Sequence, residues 1–112
     1  MKSQTLKENK DFRRLYYRGK SVSSPCLVTY ALKARGGVRY GITTSKKTGN
    51  AVERNRSRRV IRVALSELEE QISGSWDIVF VARSKTHCVK MQRVRAEMAE
   101  HFKKLGIIDE SN

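Results

Sequence analysis

A single long amphipathic helix is the feature of this sequence that most constrains its fold. Apolar residues recur at three- and four-residue steps from Val60 to Ile72, which places them on one stripe of a helix with 3.6 residues per turn. Asn50 is a favoured N-cap, and Glu53, three residues later, can return a hydrogen bond as the second half of a capping box. We therefore predict a helix of about six turns, running from Asn50 to Ser73.

The start of this helix and the residues before it are strongly basic. Residues 45–62 contain seven Lys or Arg and one Glu, whereas residues 63–80 contain four acids and no base. On a helix projection, one flank beside the apolar stripe carries Arg58, Arg62, Asn55 and Arg59. Arg54 falls near the edge of this flank. Arg56, in contrast, falls on the far side of the helix.

The helix carries its bases in the first turns and most of its acids in the last turns, and this order works against the stability of an isolated helix. A helix N-terminus already carries about half a positive charge, so each misplaced charge costs roughly 0.3–1 kcal/mol. An anion gains from this arrangement, and phosphate suits both exposed N–H groups and guanidinium groups. The flank therefore predicts a phosphate-binding surface in preference to a solvated charged face.

Composition narrows the class of partner. The net charge is +13 and the sequence pI is about 10.3, which points first to nucleic acid and then to anionic membranes or acidic proteins. The length of 112 residues suits one domain, 1–112. The start of the chain is polar and no apolar run reaches membrane-spanning length, so we expect a cytoplasmic protein. Cys26 and Cys88 stand alone and are predicted to be buried and unpaired.

The other segments predict short strands and two further helices. Residues 9–18 form a helix that Gly19 closes in the left-handed conformation, and residues 35–37 form a hairpin turn. Strands are expected around Val22 and at 26–33, 38–44 and 76–82, followed by a helix of about fifteen residues that ends at Gly106. The nearly continuous apolar run 76–82 predicts a strand buried on both faces and parallel to the strand before it. The order α-β-β-β-α-β-α gives an α+β fold with one mixed sheet.

The titratable side chains show no known catalytic spacing. His87 and His101 lie far apart, Asp11 and Asp77 are isolated, and no HExxH, GxSxG or Walker motif is present. We therefore predict no catalytic residue in the chain. From its residues alone it is an RNA- or DNA-binding module.

Two aromatic side chains in the first helix leave two interpretations open. Phe12 and Tyr16 are four residues apart and share a face with Leu15, which we assign to the core. Phe12 and Tyr16 either join that core or, among several arginines, form a surface that stacks bases. Tyr30 is likewise either a cross-strand packing partner or part of such a surface.

A long motif makes the sequence similar to a known family. Residues 39–62, RYGITTSKKTGNAVERNRSRRVIR, resemble the signature of the protein subunit of bacterial ribonuclease P, including its RNR core at Arg54, Asn55 and Arg56. FRRLYYRGK, the strand with Tyr30, WDIVFVAR and the final helix follow in that family's order, so the resemblance covers nearly the whole chain. Val63 departs from it, because the family commonly has a polar residue there.

The resemblance implies both a fold and a function. The fold would be a two-layer α-β sandwich, like the second domain of a small-subunit ribosomal protein, with a left-handed β-α-β crossover. In this family a large RNA with Mg²⁺ removes the 5′ leader of precursor tRNA, and the small basic protein holds the leader and the catalytic RNA together. The implied partners are therefore the catalytic RNA and precursor tRNA, with neither membrane nor DNA, and Mg²⁺ is used by the RNA with no cofactor assigned to the protein.

The same resemblance assigns site residues by position. The cleft for the single-stranded leader would contain Phe12, Arg13, Tyr16 and Tyr30. The surface that faces the catalytic RNA and the cleavage site would contain Lys46, Lys47, Arg54, Asn55, Arg56, Arg58, Arg59 and Arg62. Two alternatives remain: a ribosomal-type rRNA-binding protein of similar fold without a processing role, and a DNA-binding helix, for which no helix-turn-helix pairing is visible.

Overall fold

A mixed β-sheet organises the chain, with helices packed on both of its faces. In the computed structural model, which describes residues 3–109, the elements in chain order are β1 (Gln4–Thr5), α1 (Asn9–Arg18), β2 (Lys20–Ser24), β3 (Leu27–Lys33), β4 (Val38–Thr43), a 3-10 turn (Lys46–Thr48), α2 (Ala51–Leu68), a 3-10 turn (Glu69–Gln71), β5 (Trp76–Ala82) and α3 (Met91–Leu105). This confirms the α+β prediction. It adds β1, which its two polar residues did not reveal.

The sheet has the order β1-β4-β5-β3-β2. The central strand β5 pairs in parallel with β4 and antiparallel with β3, while β1 and β2 form the two edges. The mixed sheet and the parallel β4-α2-β5 unit are therefore confirmed. The left-handed crossover of that unit stays a prediction from the resemblance.

The predicted hairpin between β3 and β4 is wrong. Gly36 and Gly37 do turn the chain, with φ of 83° and 108°, but the two strands are not neighbours, because β5 lies between them. The reason is the burial of β5, which is covered on both faces and so gains most at the centre of the sheet.

Two apolar cores lie on opposite faces of the sheet. On one face, α2 and α3 pack their apolar stripes against the sheet; the stripe of α2 consists of the buried Val60, Ile61, Ala64, Leu65 and Leu68. On the other face, Leu15 of α1 packs with Leu6 against Val79 of β5. Helix α1 therefore covers only part of its face, which leaves room beside it.

Two helix ends differ from the prediction. Helix α2 ends at Leu68 and continues as a 3-10 turn, so it is shorter than expected. Gly19 is not left-handed: its φ is −72°, and glycine is needed because a Cβ there would lie 2.6 Å from the carbonyl oxygen of Leu15 and 3.0 Å from that of Ala31. Gly106, with φ of 78°, does end α3 in the left-handed conformation.

The cysteine prediction holds for one residue. Both cysteines are free, and Cys26 is buried as expected, but Cys88 is exposed because it lies in the loop between β5 and α3 and not in a core element. In the described part of the chain, no helix combines the length and the apolar character needed to cross a membrane.

Candidate nucleic-acid interface

The capping box fixes the start of α2. The Asn50 side-chain oxygen accepts a hydrogen bond from the Glu53 backbone N–H at 2.9 Å, and the Glu53 carboxylate accepts one from the Asn50 N–H at 2.9 Å. The hydrogen bond from the Asn50 N–H is the main cause of a lowered pKa for Glu53. Lys46 and Lys47 lie just before this point and are exposed. The single acid of the basic segment is therefore used inside the helix cap.

An open groove of about 550 Å³ runs along the start of α2 and is lined by Val52, Asn55, Arg56, Arg58, Arg59 and Arg62. The flank predicted from the helix projection is thus brought together. Arg56 joins it although its projection lies on the far side. Arg54 lies outside the groove and donates to the Gly49 carbonyl oxygen at 2.9 Å.

The side chain of Arg58 is held in place by neutral partners. Its guanidinium donates to the Asn55 side-chain oxygen at 3.0 Å and to Thr44 Oγ1 at 2.7 Å. Thr44 follows β4 directly and was not among the predicted site residues. Both contacts orient Arg58 and leave its charge uncompensated.

Among the described residues, no acid pairs with the cations of this surface. Within residues 3–109, every salt bridge involves other bases, and none includes Lys46, Lys47, Arg54, Arg56, Arg58, Arg59 or Arg62. A concentration of unpaired guanidinium groups has a strong local potential and binds planar or tetrahedral anions well.

We call the groove along the start of α2 the arginine groove. A second groove lies next to it, on the side of α1. It has a volume of about 410 Å³ and is lined by Thr5, Leu6, Phe12, Tyr40, Gly41, Ile42, Arg58 and Arg62. We call it the aromatic cleft. Arg58 and Arg62 border both grooves, so a strand lying against Phe12 would have its phosphates within the field of α2.

Gly41 provides the floor of the aromatic cleft. A Cβ on Gly41 would lie 2.5 Å from Cε1 and Cζ of the Phe12 ring, so the ring rests directly on the β4 backbone. Phe12 is half-buried in this position and packs beside the small core under α1. The structure therefore supports both interpretations of Phe12, since one side of the ring packs and the other borders the cleft.

The other predicted leader residues lie along the same face. The rings of Tyr16 and Tyr30 meet edge to face with centroids 5.0 Å apart, and Tyr16 is 40% exposed. Arg13 is also exposed. The structure thus places Phe12, Tyr16 and Tyr30 on the side of the sheet that α1 covers, with Tyr30 as the packing partner of Tyr16.

A buried carboxylate fixes α1 to the sheet. Asp77, which is 1% exposed, accepts hydrogen bonds from Arg14 at 2.5 Å and from Arg39 at 2.9 and 2.7 Å. These bonds raise the pKa of Arg39. Asp11 lies 3.7 Å from Arg14 and 3.9 Å from Arg39. Asp11 and Asp77 are therefore not isolated, and the one clue in the sequence was an acid inside the apolar strand β5.

Possible metal ligands do not cluster in the described part of the chain. Among residues 3–109, no three His, Cys, Asp or Glu side chains come together in a way that could hold a metal ion.

Comparison with known proteins identifies the family. The sequence model of the family "Ribonuclease P" matches residues 1–106. The chain belongs to the ribonuclease P protein family. Over 109 residues it is 37% identical to the ribonuclease P protein component of Clostridium botulinum strain Langeland, covering 96% of this chain and 98% of the relative. The protein component of Listeria welshimeri is 37% identical over 107 residues, covering 94% and 89% of the two chains.

Solved structures of the family share the fold. The ribonuclease P protein of Staphylococcus aureus superposes with a TM-score of 0.83 at 30% identity, over 96% of this chain and 100% of that one. The protein from Thermotoga maritima gives a TM-score of 0.76 at 26% identity, over 87% and 93% of the two chains. These relatives support the ribonuclease P hypothesis and do not favour the alternative of a ribosomal-type rRNA-binding protein.

Proposed function

We propose that this chain is the protein subunit of a ribonuclease P and promotes removal of the 5′ leader from precursor tRNA. In this proposal the arginine groove binds the catalytic RNA near the cleavage site, and the aromatic cleft receives the single-stranded leader. Bond breaking is assigned to the RNA subunit with its Mg²⁺, and binding to the protein. The chain would then act in the cytoplasm as part of an endoribonuclease holoenzyme.

The observation that carries this proposal is the shared border of the two grooves. Arg58 and Arg62 line both the arginine groove and the aromatic cleft. A leader and a catalytic RNA that meet at a cleavage site are two polyanions brought close together. Cations placed between them lower their mutual repulsion, which is the main obstacle to such a complex when Mg²⁺ is scarce.

The aromatic cleft suits a partner of variable sequence. Stacking on an aromatic ring is worth about 1–3 kcal/mol per base and tolerates any base, because every base has a π-face. Phosphate contacts add affinity that depends on salt and not on sequence. A cleft that places Phe12 beside Arg58 and Arg62, with Tyr16 on the same face of the sheet, therefore supports binding of leaders that differ from one tRNA to the next.

The proposal is tested by cleavage of a precursor tRNA with the ribonuclease P RNA of the same organism, with and without the protein, at near-physiological Mg²⁺. We expect the protein to stimulate leader removal, and we expect Arg62→Ala to reduce the stimulation. Arg62 is the better target because it is exposed, whereas Arg58 also bonds Asn55 and Thr44.

Arg35→Ala is the matched control. Arg35 is an exposed arginine in the turn between β3 and β4, at the opposite end of β4 from the start of α2. It should leave the stimulation unchanged. Cleavage by the RNA alone at high Mg²⁺, in a reaction without protein, gives the baseline against which both variants are compared. Equal activity of Arg62→Ala and the wild type at low Mg²⁺ would contradict the assignment of this face.

A further inference from the structure

The loop between β5 and α3 carries a second group of cations, at the end of the sheet where the basic start of α2 lies. Residues 83–90 contain Arg83, Lys85 and Lys90 and no acid, and all three bases are exposed. Strands β4 and β5 are parallel, so the segments that follow them begin at the same edge of the sheet. One of these segments leads into α2 and the other is this loop.

Two contacts join the loop to the start of α2. Arg56 Nε donates a hydrogen bond to the carbonyl oxygen of His87 at 3.0 Å, and His87 Nε2 lies 2.8 Å from the Glu53 carboxylate. Both partners of His87 lie in the first two turns of α2. The loop is therefore attached to the segment that we assign to RNA binding.

The loop also has a fixed shape. Thr86 at its centre is fully buried, and its hydroxyl donates to the Cys26 carbonyl oxygen at 2.7 Å and accepts from the Arg83 N–H at 2.8 Å. The Cys88 N–H donates to the Lys85 carbonyl oxygen at 3.0 Å. A preformed loop displays its side chains with little loss of backbone entropy on binding, which favours a role as a contact surface.

The loop cations do not neutralise acids in the described part of the chain. Arg83, Lys85 and Lys90 take no part in the salt bridges of residues 3–109. Glu53, the acid that pairs with His87 of the loop, also caps α2. The loop therefore adds to the uncompensated charge of the neighbouring arginine groove.

We propose that residues 83–90 form a second RNA-contacting surface, which binds phosphates of the RNA subunit beside those bound by α2. This inference rests on the proposed function. The occupant is the RNA subunit and not the leader, because the loop meets α2 at Arg56, which lines the arginine groove but not the aromatic cleft. We assign the contact to the sugar-phosphate backbone, because phosphate and sugar accept roughly half or more of the hydrogen bonds that proteins make to nucleic acid, and Lys and Arg are among the usual donors.

The first test measures the affinity of the protein for the RNA subunit as salt is varied. The loop variant carries Arg83→Ala, Lys85→Ala and Lys90→Ala. A control with the same change in charge carries Arg35→Ala, Lys103→Ala and Lys104→Ala. The control residues lie before β4 and at the end of α3, away from the loop that precedes α3. Loss of one phosphate contact reduces the slope of log affinity against log salt by about one. We therefore expect the loop variant to lose about three units of slope, so that the change in affinity between 50 and 200 mM salt shrinks by about 50-fold.

The control should keep nearly the wild-type slope. Equal slopes for the loop variant and the wild type, or equal losses in the loop variant and the control, would overturn the inference. Thermal unfolding of each variant checks that it folds. The proposed function is judged separately by leader removal: a wild-type protein that gives no stimulation refutes that function, while the loop is judged by the binding slopes alone.

The second test uses the exposed cysteine in the loop. Cys26 is buried and Cys88 is exposed, so a thiol-reactive iron–EDTA probe will attach at Cys88 in the folded protein. In the reconstituted holoenzyme, radicals released there should cut the backbone of the RNA subunit at one or a few adjoining positions. Cuts confined to the leader, or no cuts in either RNA, would overturn the inference.

Discussion

Replacing Gly41 by alanine tests how the aromatic cleft is built. The added Cβ would lie 2.5 Å from two atoms of the Phe12 ring, whereas carbon atoms in contact are normally about 3.5 Å apart. The ring must therefore move by about 1 Å away from the β4 backbone. The next atom from the added carbon, Leu6 Cβ, is 3.6 Å away, which is an ordinary van der Waals contact.

Gly41→Ala should cost more free energy of binding than of folding. Phe12 is only half-buried, so it can yield at a rotamer cost of about 0.5–1.5 kcal/mol. If the ring stacks on a leader base, its displacement removes up to the full stacking energy of about 1–3 kcal/mol, a factor of roughly 5 to 150 in affinity. Gly41→Ala should thus weaken binding of precursor tRNA and leave binding of mature tRNA unchanged.

A double-mutant cycle with Phe12→Ala decides whether the ring is responsible. Affinities of the four holoenzymes for a fluorescent precursor tRNA are measured at equilibrium. In the Phe12→Ala background the added methyl group meets no ring, so Gly41→Ala should then have almost no effect. Additive losses in the double variant, or an unchanged affinity in Gly41→Ala itself, would refute the reasoning.

Three further predictions concern stability. Asp77→Asn should lower the free energy of unfolding by about 2 kcal/mol and the unfolding temperature by about 8 °C. The loss is smaller than for breaking a fully buried ion pair, because Arg14 and Arg39 are partly exposed. Ser57→Ala should raise the unfolding temperature by a few degrees, because the buried Ser57 hydroxyl in α2 has no hydrogen-bond partner within the described chain and alanine favours helix; a fall would contradict this. Burial lowers the pKa of His101, so the stability that its neutral form contributes is present above pH 6.5 and is lost as the pH falls below that value. Urea unfolding between pH 6.5 and about pH 5 should therefore show a smaller loss of unfolding free energy in His101→Asn than in the wild type.

The sequence predicts best where the deciding interactions are local. Asn50 and Glu53 are three residues apart, so their capping box could be read directly, and the apolar stripe from Val60 to Leu68 follows from helix periodicity alone. The arginine flank of α2 was predictable for the same reason. Its freedom from acidic partners required the structure, since an acid from anywhere in the chain could have folded against it.

The sequence predicts least where the structure depends on contacts between segments that are far apart in the chain. Strand β5 enters the sheet between β3 and β4, which the short turn at 34–37 had suggested were neighbours. Asp77 finds Arg14 and Arg39 across separations of 63 and 38 residues, so no spacing rule could reveal the pair. Gly41 and Phe12 belong to different elements, and their contact depends on how α1 lies across the sheet.

The unequal use of acids and bases explains how this fold keeps a positive edge. The chain has 24 Lys or Arg against 11 Asp or Glu, and several of the acids are engaged within the fold: Asp77 with Arg14 and Arg39, Glu97 with Arg93, and Glu67 with Arg95. Glu67 and Arg95 meet near the end of α2, while no acid of residues 3–109 forms a salt bridge with the arginines at its start. Folding alone gains nothing from this repulsion, and each cation at the helix start costs roughly 0.3–1 kcal/mol. A bound polyanion would reverse the sign of both contributions, so this arrangement of charge supports the proposed binding of RNA.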